Sequence, residues 1–418
     1  MPWFLWWEMP IFAVEIYHTM TYKTFYTLVL AMALCWPTTL SAQEPNAWMG
    51  TWAAAAEFTG KQDMPKEPLT ERALREIVQV SIGGDCLRLR LSNEFSEQPV
   101  ELKAVFIADA LDSCDIAVKS AKYLSFGGKR NVTIQPGQCV WSDICKYALK
   151  PLQRLAVTIN YGQTPEHATS HRGSRTTSYI IKGEAKPKTS FAQGERVDHW
   201  YSIAAIDVPA AGNRCMAVLG NSITDGRGST TNLQNRWPDM MSQALQKTYG
   251  QQVGVLNLGI GGNCVLAGGL SEPALKRFDR DILGQNGVTD VIIFEAINDI
   301  GGSKGRSEKV ANDLIEAYKQ FIKKVHDRGM RVILCTITPY GKSFYDDTFF
   351  KEAARQTVNK WIRTNKEADG FIDFDELMRD PEHPTQLRED LQEDWLHPNS
   401  KGYKVMGEYA AKCIHGLK

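Results

Sequence analysis

The chain has 418 residues, of which 43% are hydrophobic and 23% are charged, a composition typical of globular proteins. Its 48 basic and 48 acidic side chains cancel, so no basic excess is available to neutralise nucleic-acid phosphates or an anionic membrane. We therefore expect no nucleic-acid partner. The length is sufficient for two domains with a sizeable core.

The N-terminus has the pattern of an export signal. Lys23 provides a positive charge, residues 25–36 are mainly apolar, and a small-residue cleavage site ends at Ala42. The apolar run is shorter than the roughly 20 residues that a membrane-spanning helix needs. We expect translation to begin at Met20, residues 1–42 to be an upstream extension and signal peptide, and the mature protein to be periplasmic or secreted without stable membrane insertion. An uncleaved membrane anchor is the alternative.

Eight of the nine cysteines follow the predicted signal, and export permits disulfide bonds. Their spacing fits no metal-binding pattern. Candidate bridges join Cys139 to Cys145 or Cys86 to Cys114, and the sequence does not decide between them. We predict neither a metal nor another cofactor.

Short β-strands dominate residues 46–200. Residues 77–82 are rich in β-branched side chains, residues 87–92 alternate apolar and polar side chains, and a glycine turn between them predicts a hairpin. Further strands are predicted at 100–107, 132–134 and 155–161. Short strands separated by turn residues predict a β-sandwich domain, of jelly-roll type.

A polar stretch within this domain, residues 164–179, contains His167, His171, Arg172, Arg175 and Tyr179. Three interpretations are open: a plain surface loop, a loop that reaches over an active site or binds sugar, and a metal site. The plain surface loop is favoured. A metal site is least favoured because no third ligand is evident.

Strands and helices alternate through residues 213–418, which predicts a second domain. Strands are predicted at 216–219, 253–258, 291–295, 331–336 and 370–373, and helices at 238–249, 272–283, 308–328, 350–365 and 400–414. The pattern is that of a flavodoxin-like three-layer α/β/α sandwich.

Ser222 follows the first of these strands across a Gly-Asn turn, the place where a parallel sheet presents a nucleophile. An ordinary turn that caps a helix is the alternative. Asp394 stands three residues before His397, just ahead of the last helix. A serine, a histidine and a carboxylate are the parts of a hydrolytic triad, whose order along the chain is free.

Four sequence blocks together are similar to those of the SGNH (GDSL-type) hydrolases. They are residues 220–225, 257–263, 295–299 and 394–397. This resemblance implies a triad of Ser222, His397 and Asp394. It also implies an oxyanion hole made by the N–H groups of Ser222 and Gly262 and the side-chain amide of Asn298.

Two positions depart from the family pattern. Asn221 stands where the family has an aspartate that supports the turn, and Ala296 stands where the family has a glycine. Since that aspartate is not a triad member, the resemblance implies that Asn221 leaves activity possible but alters the local hydrogen bonds.

The β domain and the export signal resemble the xylan-esterase-like branch of secreted carbohydrate esterases. We therefore expect a serine esterase that removes acyl groups, acetyl groups in particular, from a polysaccharide or oligosaccharide. A lipase or lysophospholipase of the same fold is one alternative. A catalytically silent carbohydrate-binding protein is the other, and the residues at 221 and 296 are the reason to consider it.

Overall fold

The computed structural model describes residues 47–112, 114–210, 214–345 and 348–417. The predicted export signal and its cleavage site lie outside these ranges. Within the ranges, none of the helices combines the length and apolar character needed to cross a membrane.

Fifteen strands occupy the described part of the chain before residue 211. They are β1 Trp48–Ala53, β2 Glu57–Phe58, β3 Arg72–Gln79, β4 Gly84–Asn93, β5 Val100–Asp109, β6 Lys122–Tyr123, β7 Val132–Ile134, β8 Gln138–Trp141, β9 Cys145–Leu149, β10 Arg154–Tyr161, β11 Thr169–His171, β12 Ser178–Lys182, β13 Glu195–Val197, β14 Trp200–Tyr201 and β15 Ile203–Pro209. We call this part the β-rich region.

Three sheets arrange these strands. One has the order β1-β15-β4-β8, with β9 also paired to β4; the second has the order β13-β12-β3-β10-β5-β6, with β7 paired to β5; the third is β14-β11-β2. The two larger sheets contribute buried side chains to one hydrophobic core, among them Leu74 and Val157 from the second sheet and Leu89 and Ile206 from the first. This confirms a β-rich N-terminal part built as packed sheets.

The predicted hairpin is wrong, because β3 and β4 belong to different sheets. Ser81, in the connection between them, donates to the Thr51 carbonyl at 2.7 Å and accepts from the Val255 N–H at 3.0 Å. The connection is therefore held by partners distant in sequence, and β3 pairs with β10 and β12 instead.

The remaining described strands form a parallel sheet. They are β16 Arg214–Gly220, β17 Val253–Gly259, β18 Asp290–Phe294, β19 Arg331–Cys335 and β20 Gly370–Ile372. Their order is β17-β16-β18-β19-β20, and every neighbouring pair is parallel. In chain order this is 2-1-3-4-5, the flavodoxin-like order, so the predicted α/β class is confirmed.

Helices follow the parallel strands. They are α1 Ser222–Asp225, α2 Trp237–Lys247, α3 Ala274–Phe278, α4 Ile297–Gly301, α5 Ser307–His326, α6 Phe349–Thr364, α7 Phe374–Met378 and α8 Ser400–Gly416, with a π-helical turn at Asp279–Leu283 and 3₁₀ turns at Lys61–Asp63, Val118–Ser120 and Glu389–Leu391. The amphipathic helices bury their apolar faces, as Leu314, Phe321 and Val325 of α5 show.

The β-rich region packs directly on the parallel sheet, and residues 46–418 form one compact unit. At the junction, Gly50 of β1 donates its N–H to the Asn286 carbonyl at 3.0 Å. A Cβ atom at Gly50 would lie 2.8 Å from the Leu256 side chain, so the close approach requires glycine. The domain boundaries at residues 200 and 213 stay a prediction.

Cys86, Cys139 and Cys145 are free thiols in the described part of the chain. Neither candidate bridge, from Cys139 to Cys145 or from Cys86 to Cys114, is therefore formed.

Candidate active site

Ser222 lies at the carboxyl end of β16, the strand that pairs with both β17 and β18. β16 ends at Gly220, and Asn221 caps the short helix α1 by accepting a hydrogen bond from the Ile223 N–H at 3.0 Å. A Cβ atom at Gly220 would lie 2.1 Å from Thr224 Oγ1, so the turn requires glycine there. This local geometry presents the Ser222 hydroxyl at the edge of the sheet.

The structure brings Ser222, His397 and Asp394 together from opposite ends of the α/β part. Ser222 Oγ lies 2.8 Å from His397 Nε2. His397 Nδ1 lies 2.8 Å from Asp394 Oδ2 and 3.0 Å from Oδ1. The exposed fractions of Ser222 and His397 are 7% and 4%, so both are largely shielded from solvent.

Asp394 is held as a carboxylate. Burial would raise its pKa, but hydrogen bonds from the side chain and backbone N–H of His397 and from the Leu396 N–H lower that pKa well below its usual value. The loop reaches this arrangement through Trp395, whose φ of +63° is strained for a bulky side chain. An ionised Asp394 fixes the proton of His397 on Nδ1 and leaves Nε2 facing Ser222.

The three groups that the resemblance assigned to an oxyanion hole line one cavity together with the Ser222 hydroxyl. Within the described residues, the N–H groups of Ser222 and Gly262 donate to no protein acceptor. Gly262 has a φ of +69°, a conformation that favours glycine. Asn298, in α4, is buried beside them and lines the same cavity. Free donors next to a nucleophile are suited to a developing negative charge.

A cavity of about 950 Å³ opens over these groups. Its walls come from both parts of the protein. They include Ser222, His397, Asp394, Gly262 and Asn298 from the α/β part and Glu57, Asp63, Arg172, Gly173 and Arg175 from the β-rich region. A site of this volume accommodates a ligand of several chemical groups.

Residues 218–405 match the model of the GDSL-like lipase/acylhydrolase family. This part of the chain is a GDSL-like acylhydrolase domain. The resemblance found in the sequence is thereby confirmed. Among curated proteins, none matches the chain.

Several solved structures are similar to the protein. A G-D-S-L family lipolytic protein from Desulfitobacterium hafniense has 23% identity over 48% of this chain and 99% of its own, with a TM-score of 0.37. A family 2 carbohydrate esterase with a carbohydrate-binding domain, from Corynascus thermopiles, has 14% identity over 87% of this chain and 99% of its own, with a TM-score of 0.38. A carbohydrate acetylesterase family member from Sinorhizobium meliloti has 14% identity over 49% of this chain and 98% of its own, with a TM-score of 0.38.

Asn298 of the acylhydrolase domain is fixed in orientation by two neighbours. Its Nδ2 donates to the Asn263 carbonyl at 2.6 Å, and its Oδ1 accepts from the Tyr345 hydroxyl at 2.7 Å. Because a carbonyl oxygen only accepts, the amide cannot be reversed. One Nδ2 hydrogen therefore remains for a ligand in the cavity. Nothing in the sequence pointed to Tyr345, because it joins Asn298 only in the folded chain.

Replacing Tyr345 with phenylalanine is expected to lower kcat about tenfold, since Asn298 keeps its donor but loses one of its two anchors. Replacing Asn298 with alanine removes the donor and is expected to cost about 10²- to 10³-fold. Initial rates on a small acetyl ester measure both effects. Tyr249→Phe is the matched control, because the Tyr249 ring stacks on His415 with ring centroids 4.4 Å apart and does not line the cavity. Equal losses in the Tyr345 and Asn298 variants would contradict the separate roles.

Asn221 and Ala296, the two departures from the family pattern, meet at Glu295 in the acylhydrolase domain. Asn221 Nδ2 donates to Glu295 Oε2 at 3.2 Å. An aspartate at position 221 would instead place a second carboxylate against Glu295. Ala296 has a φ of +90°, a left-handed conformation that favours glycine and is strained for alanine.

Glu295 is buried against Asn221, in the turn that carries Ser222. Burial raises its pKa to about 8, although the charge of Arg277, at 3.8 Å, acts in the opposite direction. Burial also raises the pKa of Asp299 to about 6, while the N–H groups of Val265 and Leu266 donate to that carboxylate. Glu295 therefore holds the turn that carries Ser222 through Asn221, and Asp299 holds the segment that follows Gly262.

Replacing Glu295 with glutamine is expected to change how stability depends on pH. The folded-state pKa of about 8 exceeds the ordinary 4.5, so the folded wild type binds a proton that the unfolded chain releases. The contribution of this proton to the free energy of unfolding is complete below about pH 4.5 and is lost as the pH rises through about 8. The free energy of unfolding of the variant should not show this loss. Since one pKa unit corresponds to about 1.4 kcal/mol, the loss in the wild type is on the order of a few kcal/mol.

Urea unfolding of wild type and variant at several pH values between 4.5 and 8 measures the difference. The exposed Glu316, which pairs with Lys319 at 2.7 Å, provides a glutamine control that should follow the wild type. A constant difference between wild type and the Glu295 variant across this range would contradict the raised pKa.

The stretch 164–179 was expected to be a plain surface loop, and that expectation is wrong for its central part. Arg172, Gly173 and Arg175 line the cavity, and His171 is buried against Asp225 in the turn that carries Ser222. Arg172 also donates to Ser271 Oγ at 3.0 Å. These contacts join residues of the β-rich region to the acylhydrolase domain, a juxtaposition that local sequence patterns do not contain.

Within the described ranges, no group of three or more His, Cys, Asp or Glu side chains is arranged to hold a metal ion. His171 bonds through its two ring nitrogens to Ala55 and Asp225, and His167 Nδ1 bonds to the Thr59 carbonyl. The two histidines of the stretch therefore have separate partners.

Proposed function

We propose that this protein is an exported serine esterase that removes acyl groups, acetyl groups in particular, from a polysaccharide or oligosaccharide. The observation that carries the proposal is the continuous hydrogen-bonded series from Ser222 through His397 to Asp394, open to a cavity of about 950 Å³. A hydroxyl in this setting has a base within reach and a carboxylate that orients the base.

In the first half-reaction, the Ser222 hydroxyl attacks the ester carbonyl while His397 Nε2 accepts its proton. The distance of 2.8 Å between the two atoms suits this transfer. The carboxylate of Asp394 stabilises the imidazolium that forms. His397 then gives the proton to the departing sugar oxygen, which leaves the acyl group on Ser222.

The tetrahedral intermediate places negative charge on the former carbonyl oxygen. The N–H groups of Ser222 and Gly262 and the free Nδ2 hydrogen of Asn298 are the proposed donors to it. Each such donor is typically worth about 2.7–4 kcal/mol in the transition state. In the second half-reaction, His397 activates water by the same geometry, and acetate leaves with Ser222 restored.

The cavity walls favour a polar substrate. Charged side chains line them from the β-rich region and from the turn after α4, including Arg172, Arg175, Lys304 and Arg306. A sugar supplies hydroxyls for such groups, whereas a long acyl chain needs continuous apolar contact. One observation favours the lipase alternative: Leu270 and Phe344 are on the cavity wall and are 68% and 73% exposed.

The silent-binder alternative is disfavoured by the same contacts. Asn221 caps the turn that carries Ser222 by accepting from the Ile223 N–H, and Ala296 adopts a left-handed backbone conformation that glycine takes readily. The two departures are thus accommodated without separating Ser222 from His397.

Export is part of the proposal and depends on the N-terminal sequence pattern. We expect the mature protein, isolated from a cell envelope or culture medium, to begin at Gln43. N-terminal sequencing measures this directly, and a mature chain that retains residues 20–42 would contradict cleavage after Ala42.

The decisive experiment measures acetate release from a panel of acetylated polysaccharides, together with p-nitrophenyl esters of increasing acyl length. We expect acetate from at least one glycan and the highest kcat/KM for the acetyl ester. Faster turnover of long acyl chains would favour the lipase alternative. Absence of turnover on every ester would overturn the esterase proposal and favour the binding protein.

A further inference from the structure

We propose that the β-rich region positions the nucleophile, because His171 and Arg175 hold Asp225 at the end of the turn that carries Ser222. This inference depends on the proposed function, since it assigns positioning residues to the same reaction. It goes beyond that function by making the β-rich region a working part of the active site.

Asp225 is mechanically connected to Ser222. The two residues begin and end the single helical turn α1, and Asp225 donates its N–H to the Asn221 carbonyl at 2.8 Å. A Cβ atom at Gly259 of β17 would lie 2.5 Å from the Asp225 nitrogen, so the turn rests tightly on the sheet. A movement of Asp225 is therefore transmitted to Ser222 instead of being absorbed by a flexible loop.

Two side chains from the β-rich region hold the Asp225 carboxylate. His171 Nε2 lies 2.9 Å from Asp225 Oδ1, and Arg175 donates to Asp225 Oδ2 at 3.0 Å. Gly173 lies between them against the same carboxylate, where a Cβ atom would come within 1.8 Å of Oδ2. Any larger side chain at position 173 would therefore displace Asp225 or the loop.

The hydrogen bonds define the charge of His171. Its Nδ1 lies 2.9 Å from the Ala55 carbonyl, which only accepts, and its Nε2 faces a carboxylate. Both ring nitrogens therefore carry hydrogen, and His171 is an imidazolium. Burial alone would lower its pKa, but the hydrogen bond to Asp225 and the charges of Asp225 and Glu57 raise it. Asp225 is correspondingly ionised, because Arg175 and His171 lower its pKa against the effect of burial.

His171 is itself rigidly held. It ends strand β11, which pairs with β14 and β2, and its ring stacks on Trp200 with centroids 5.8 Å apart. Its position is thus set by the framework of the β-rich region. This is the property that a positioning residue needs.

Positioning can be separated from a simpler role in which residues 171–175 only form a wall for the glycan. A wall affects large substrates and mainly KM. A positioning network affects Ser222 with every substrate, including a small ester that does not reach the wall, and it lowers kcat. A displacement of about 1 Å can cost about 10²-fold in rate.

The experiment compares Asp225→Asn, Arg175→Gln and His171→Gln with the wild type. Two readouts are kcat for p-nitrophenyl acetate and the second-order rate at which a fluorophosphonate labels Ser222. We expect each variant to lose about 10- to 100-fold in both readouts, with little change in KM. Arg175→Lys, which retains a cation, should recover part of the loss.

Arg88→Gln is the matched control. Arg88 pairs with the buried Asp207 at 2.9 Å, also in the β-rich region, and does not line the cavity. This variant should react with the fluorophosphonate and hydrolyse p-nitrophenyl acetate at the wild-type rates. Equal losses in this control would show a general effect on folding and overturn the positioning role.

The pH profile supplies a readout that a merely structural contact would not change. Asp225 and Glu57 face His171, and Arg175, Arg172 and Arg236 are the cations around those carboxylates. Wild-type labelling should fall at alkaline pH as the imidazolium loses its proton, and His171→Gln should lack this decline. The proposal would be overturned if His171→Gln showed the same decline in labelling at alkaline pH as the wild type. It would also be overturned if all three variants were labelled at the wild-type rate.

Failure of the proposed esterase function can be distinguished from failure of the positioning role. A wild type that is labelled at Ser222 but hydrolyses no ester contradicts the esterase assignment, while the labelling rates still decide the positioning role. A wild type that is neither labelled nor active overturns both.

Discussion

Replacing Ser222 with alanine is expected to lower kcat for acetyl esters on the order of 10⁶-fold, with little change in KM. The Oγ atom that forms the acyl-enzyme is removed, but the His397–Asp394 pair and the cavity remain. Residual turnover would come from the proposed oxyanion donors and substrate binding alone. The measurement is kcat on p-nitrophenyl acetate, together with the amount of protein labelled by a fluorophosphonate, which should fall to zero.

Ser303 offers a matched control for this substitution. It also lies buried in the cavity wall, where its hydroxyl pairs with that of Ser307 at 2.8 Å. Ser303→Ala should retain activity and labelling. If Ser222→Ala keeps more than a small fraction of wild-type turnover while remaining folded, another group is the nucleophile and the assignment of Ser222 is wrong.

Replacing Asp394 with asparagine is expected to lower kcat on the order of 10⁴-fold. An amide at this position presents N–H to His397 Nδ1 and so favours the tautomer with hydrogen on Nε2. That hydrogen would face Ser222 Oγ, and the base could no longer accept its proton. Because geometry is retained, we expect the free energy of unfolding to change far less than the rate.

The control lies in the same C-terminal segment. Asp390 pairs with Lys401 and is mainly exposed, so Asp390→Asn should have wild-type kinetics. A loss in Asp394→Asn of only a few-fold would mean that another carboxylate orients His397. Measurement of kcat in both variants at the pH optimum of the wild type decides between these outcomes.

The parallel sheet was predictable because its information is local. Each strand is a short apolar run, each helix has apolar side chains at helical spacing, and their alternation permits few topologies. The candidate triad was predictable for a related reason. Ser222 follows a strand end, and Asp394 and His397 are close in sequence, so the three could be proposed before their distances were known.

The β-rich region was predicted less well, because pairing in antiparallel sheets joins distant parts of the chain. Residues 77–82 and 87–92 have strand patterns, but the first run pairs with β10 and the second with β8, β9 and β15. Arg75 and Glu76 are charged, and their side chains do not indicate a buried strand. Both are nevertheless buried in β3, where Arg75 donates to the Thr158 hydroxyl and to the Cys114 carbonyl. Burial of charge depends on partners that the local sequence does not name.

The sequence by itself determined the α/β class, the order of the catalytic blocks and the candidate residues Ser222, His397, Asp394, Gly262 and Asn298. The α/β class follows from short-range periodicity, and the candidate residues follow from the resemblance of four short blocks to the SGNH hydrolases. Only the tertiary structure decided that Tyr345 orients Asn298, that Asn221 faces Glu295, and that His171 and Arg175 hold Asp225. Those contacts are hydrogen bonds and ion pairs between side chains far apart in the chain, and the two to Asp225 exist only after the β-rich region has packed on the α/β part.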